Sequence, residues 1–112
     1  MNLHALYLAL ALVPAPPAVI GGGNMEEVNA ALVADIKAVE DVRHHLYVTA
    51  LPYRDFIAIY GYDRSPEVTY AVRKLYNPRL TQLNREYRNR IDRQNALAKQ
   101  ARLPLYRPRR HY

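Results

Sequence analysis

A chain of 112 residues with no cysteine, no tryptophan and a single phenylalanine has room for one domain and little bulk for its core. The missing cysteine excludes disulfide scaffolds and thiolate metal sites, and the ten tyrosines, apolar along the ring and polar at the tip, suit half-buried positions and interfaces. The net charge of +6 hides a polarity: residues 1–60 carry three Lys/Arg against six Asp/Glu, whereas residues 61–112 carry thirteen against four. Either the two halves pair, within or between chains, or the basic half meets an anionic surface such as nucleic acid, lipid headgroups or an acidic protein.

Residues 3–13 form an uncharged apolar run, followed by Pro14-Ala15-Pro16-Pro17 and Gly21-Gly22-Gly23. The run resembles the apolar region of a secretory signal and is too short for the roughly 20 residues of a transmembrane helix. No Lys or Arg precedes it, and Pro16 follows the small residue Ala15 where cleavage would otherwise be attractive. An apolar arm packed on the chain's own helices, or docked on a partner, is the competing reading of residues 1–23. The three glycines read as a hinge, because neither a phosphate-loop Lys-Ser/Thr nor a dinucleotide fingerprint accompanies them.

Asn24 is a good helix cap, and Glu26 and Glu27 sit where the helix dipole favours negative charge. Met25, Val28, Leu32, Ile36, Val39, Val42 and Leu46 then make an apolar stripe interrupted by Asp35, and Leu51-Pro52 predicts a break or kink. Tyr53, Phe56, Ile57, Ile59 and Tyr60 make the segment from Pro52 to Gly61 the most aromatic of the interior. It fits a short helix or a buried strand, and a helix suits it better because the chain offers no convincing second strand.

Ser65-Pro66-Glu67 writes another helix start, with Val68, Val72, Leu75 and Tyr76 on its apolar side. Asn77-Pro78 writes a further start, and Pro104 a stop. Between these, Leu80, Leu83, Tyr87, Ile91, Ala98 and Ala101 fall in a sector of about 80° at 100° per residue, the mark of an amphipathic helix. Arg79, Arg85, Arg88, Arg90, Arg93, Lys99 and Arg102 spread over the remainder. The tail 103–112, with two prolines, three arginines and no period, reads as an extended arm, disordered when alone in water.

The sequence therefore predicts an all-α, extended array of two long amphipathic helices (about 24–51 and 78–102) and two short helices in a helical region 24–102, flanked by non-globular N- and C-terminal arms (1–23 and 103–112). No catalytic, cofactor-binding or metal-binding residue is assigned. Glu40 and His44, and Asp41 and His45, sit four apart, but a structural zinc needs four ligands and no second pair follows, so helix-surface pairing explains them better. The only serine, Ser65, is explained as a cap.

The expected function is that of a non-enzymatic structural or adaptor subunit, docking through helices and arms into a larger assembly such as a virion, a filament or a multisubunit complex, inside a cell or virus rather than secreted. Its expected partners are proteins, including copies of itself. The alternatives are an accessory nucleic-acid binder using the basic half and a small secreted basic protein. Expected interface residues are Leu80, Leu83, Tyr87 and Ile91 on the seam, Tyr53, Phe56 and Tyr60 as an aromatic patch, and Tyr106, Arg107, Arg109 and Arg110 on the tail, since Tyr and Arg are enriched at protein contacts.

Overall fold

The structure is a computed structural model, which describes residues 3–8 and 24–108. Helix α1 spans Leu3–Leu8, α2 Met25–Tyr60, α3 Pro66–Tyr70 and α4 Asn77–Ala101; a 3₁₀ turn, Tyr62–Arg64, precedes α3, and a π-helical segment, Ala71–Tyr76, joins α3 to α4. The fold is all-α, and no strand occurs among the described residues. Its two arms are equal, α2 having 36 residues and the run from Pro66 to Ala101 the same number. At about 1.5 Å per residue each arm reaches about 54 Å. The molecule measures 56 × 21 × 16 Å, and its radius of gyration of 17.4 Å exceeds the roughly 13 Å of a compact chain of this length.

The start of α2 is the one the sequence writes: the Asn24 side chain accepts the Glu26 N–H at 2.9 Å. The break at Leu51-Pro52 does not occur. Helix α2 runs through Pro52 to Tyr60, so the short helix expected after it is the last part of α2. A proline inside a helix costs about 3 kcal/mol. Here Ala50 and Tyr53, on either side of it, are buried in the core while Pro52 itself faces solvent, and burying both requires the axis to continue. The helix stops at Gly61, whose φ of 80° and ψ of 169° belong to a region essentially reserved for glycine, and whose N–H donates to the Ile57 carbonyl at 2.9 Å.

The second arm starts as written, with Ser65 Oγ accepting the Val68 N–H at 3.3 Å and Pro66 at the head of α3. The restart at Asn77-Pro78 is a second correction. Asn77 caps nothing; it lies within the arm at φ −62°, ψ −45°, and its N–H reaches back five residues to the Val72 carbonyl. The wider π turn just ahead of Pro78 gives its ring room beside the preceding carbonyls, so the arm continues without a corner. Arms that were to be four separate helices are thus two continuous ones, folded into an antiparallel hairpin about the turn Gly61–Ser65.

The hydrophobic core lies in the half of the hairpin nearest that turn. Val39, Leu46, Ala50 and Tyr53 of α2 meet Val68, Ala71, Val72, Tyr76 and Leu83 of the second arm. Leu6 of α1, fully buried, joins this cluster, so α1 packs on α2 and the π segment. At the far end, Arg102 ends α4 in the left-handed conformation, φ 56°, and the Leu103 N–H donates to the Ala98 carbonyl at 2.8 Å, closing a Schellman-type cap. The chain then turns back. Gln94 Nε2 donates to the Pro104 carbonyl at 3.2 Å, and the Tyr106 N–H donates to Gln94 Oε1 at 3.1 Å. The expected free C-terminal arm is therefore fastened to the hairpin as far as Tyr106, because a buried amide on α4 supplies the partners its backbone lacks.

Candidate interaction surfaces

The open half of the hairpin is joined by polar groups. Glu40, 1 % exposed, accepts the Tyr87 hydroxyl at 2.7 Å through one carboxylate oxygen and the Tyr106 hydroxyl at 2.6 Å through the other. Arg90 and Asp35 form a buried ion pair at 3.3 Å, and Arg90 also donates to the Asp35 carbonyl at 3.3 Å. Gln94, fully buried, donates to Asn29 Oδ1 at 3.0 Å and holds the tail as described. The Arg43 guanidinium lies 4.4 Å above the centre of the Tyr87 ring. Burial raises the Tyr87 phenol pKa first, followed by the hydrogen bond and the negative charge of Glu40, while Arg43 opposes the rise. Tyr87 is therefore a hydrogen-bond donor across the ordinary pH range. Asp35, Glu40, Tyr87, Arg90 and Gln94 are each bonded to another group of the same chain, while Asp35 Oδ2 and Arg43 Nε are buried without a hydrogen-bond partner.

These contacts relocate several of the expected interface residues. Leu83 is fully buried against α2, Leu80 and Tyr87 pack on the same core, and Ile91 is half-buried, so the seam of α4 is covered by this chain itself. The aromatic patch divides. Tyr53 is buried, with a hydroxyl that has no hydrogen-bond partner and a pKa raised by desolvation, whereas the Phe56 and Tyr60 rings meet at 4.8 Å and Tyr60 stays 57 % exposed. Tyr106 holds the tail down and Arg107 is exposed; Arg109 and Arg110 lie outside the described residues. Glu40, expected on the helix surface, is buried and accepts the two tyrosine hydroxyls. No group of three or more His, Asp or Glu side chains among the described residues is arranged to hold a metal ion.

Uncovered apolar surface collects at the turn. Ile59 is 72 % exposed, Tyr60 and Tyr70 are exposed beside the turn, and Tyr7 of α1 is exposed as well. A hollow of about 500 Å³ opens here between Tyr62, Pro66, Thr69, Tyr70, Arg73 and Lys74, and the Arg73 guanidinium stacks over the Tyr62 ring at 4.2 Å.

A second surface follows the groove between the arms on one face. Two hollows of about 260–270 Å³ lie in it and share Arg54, and a third of about 250 Å³, lined by residues of α4 alone, adjoins them at Asn84 and extends the surface to Arg88. Arg43, Arg54, Arg85 and Arg88 line it, and no Asp or Glu does. Among the described residues none of these four pairs with a carboxylate; Arg54 donates to the Tyr76 hydroxyl at 3.3 Å and lies 5.5 Å over its ring.

Comparison with protein-family models, with curated proteins and with solved structures gives no match. Among the described residues no helix is long and apolar enough to cross a membrane.

Proposed function

We propose that this chain is a non-enzymatic structural or adaptor subunit that enters a larger assembly by the turn end of its hairpin. The observation that carries this reading is the exposure of Ile59, Tyr60 and Tyr70 at the turn end, whereas Met25, Val48 and Leu105 are exposed singly elsewhere. Large apolar side chains gathered at one end mark a contact site more often than a solvated surface. In the open half Asp35, Glu40, Tyr87, Arg90 and Gln94 are used in bonds across the hairpin, which leaves the turn end as the apolar face offered to a partner.

Ile59→Asp with Tyr60→Ser tests this. Both residues are exposed, so the variant is expected to melt as the wild type does but to lose stoichiometric protein partners that the wild type, purified from its native source, retains in high salt. Full retention of those partners by the variant, or a wild type that carries no partner at all, would remove the proposal.

A further inference from the structure

We infer that the basic surface running from the groove between the two long arms onto α4 binds the phosphate backbone of a single-stranded nucleic acid. The inference goes beyond the docking role of the turn end and uses a separate surface. Four arginines stand along about 18 Å of helix, from the level of Tyr76 to that of Arg88, with no carboxylate among the lining residues. Such a row leaves positive charge uncompensated, and it creates a field that counterions or a polyanion must neutralise.

The arginines are also oriented. Arg43 is laid on the Tyr87 ring, with an Nε that is buried and lacks a hydrogen-bond partner, and Arg54 is laid on the Tyr76 ring and tied to its hydroxyl. Fixing a guanidinium on an aromatic face rather than on a carboxylate keeps its charge and leaves its outer N–H groups to address an acceptor. Phosphate oxygens match that planar fork. Asn77 and Asn84, near the arginines, add side-chain amide donors suited to phosphate and sugar oxygens.

Shape selects a single strand. Arg43 and Arg54 line the groove between helices packed against each other, whose axes are typically about 8–10 Å apart, so a single backbone can enter it while a duplex touches only its rim. The groove offers no pattern of base-edge readers, and its aromatic residues are half-buried Tyr47, Tyr62, which Arg73 covers on one face, and buried Tyr76. Binding is therefore expected to tolerate sequence.

The test is fluorescence anisotropy with labelled 12-nucleotide oligo-dT and oligo-U on the full chain, titrated over a range of salt. Four neutralised phosphates give a slope of log affinity against log salt of about −3, at about −0.7 per phosphate for single strands. Arg85→Gln with Arg88→Gln, both exposed positions whose change leaves the melting curve in place, is expected to bring the slope to about −1.5 and to weaken binding at low salt. Arg54→Gln alone is expected to lower it by about 0.7. Similar binding of both oligomers assigns the backbone as ligand, and binding of oligo-U alone assigns RNA. A slope unchanged in the double variant would overturn the inference, as would an oligomer that does not bind while vesicles rich in phosphatidylserine do.

Discussion

The two halves of the hairpin are held by different physics. Near the turn, Leu46, Ala50, Val68, Ala71 and Leu83 exclude water and need only fit one another in size. At the open end Leu32, Ile36 and Ala98 are the buried apolar residues, and the arms are instead fastened by Asp35–Arg90, by Glu40 with two tyrosines, and by Gln94. An apolar contact tolerates sliding along the helix, whereas an ion pair or a phenol–carboxylate bond is made in one register. The comparison suggests a division of labour: the turn half supplies most of the stability, and the open half fixes how the arms and the tail align.

The sharpest way to break that comparison is to remove one member of the buried ion pair. Arg90→Met leaves Asp35 charged and unpaired in a dry site, which is expected to cost about 3–5 kcal/mol in urea denaturation. Replacing both, Asp35→Leu with Arg90→Met, is expected to recover most of that loss, because two apolar side chains need no solvation. A double variant as unstable as the single one would show that the pair does more than satisfy itself.

Leu83→Ala probes the other half. A fully buried leucine cut to alanine is expected to cost about 2–5 kcal/mol, with no effect on the attachment of the tail. Trypsin cleavage after Arg102, at the base of the tail, at unchanged rate in the folded protein checks the second part.

Alkaline titration probes both halves without cavities, because burial raises the phenol pKa of Tyr53 in the turn half as well as that of Tyr87. The folded-state pKa of Tyr87 lies above the ordinary phenol value of about 10. A raised folded-state value means that the associated stabilisation is complete below about pH 10 and is lost as the pH climbs through the folded-state value. Melting temperature followed by circular dichroism is expected to fall above about pH 10, and Tyr87→Phe to flatten part of that fall. An alkaline limb identical in the variant would place the sensitivity elsewhere.

The smallest effect has the opposite sign. Tyr53 buries a hydroxyl without a partner in the turn half, so Tyr53→Phe is expected to raise stability by about 1 kcal/mol. A loss of stability on that change would show that the hydroxyl has a partner after all.

What the sequence made legible follows the same division. Caps and stops with a local cause stood out: Asn24 before two glutamates, Gly61, Ser65-Pro66-Glu67, and the stop ahead of Pro104. The breaks expected at Pro52 and at Asn77-Pro78 did not materialise, because each proline acts over one turn while the burial of Ala50, Tyr53 and Tyr76 acts across the whole hairpin. The polar seam left a trace that the stripe analysis passed over. Asp35 interrupts the apolar stripe of α2, and Gln94 falls inside the 80° sector of α4 with Arg90 at its border. A charge in the stripe of one helix opposite its counter-charge in the stripe of another is the signature of a buried pair. The tail's attachment had no local signal, since Tyr106 meets Glu40 across 66 positions of sequence.

Hydrogen exchange on wild type and Arg90→Met at neutral pH tests most directly whether the halves are held separately. The expected result is loss of protection in residues 25–40 and 87–106, with the amides of residues 46–60 and 66–83 still protected around the apolar cluster. Uniform loss of protection along both arms would contradict the division and make the hairpin one indivisible unit.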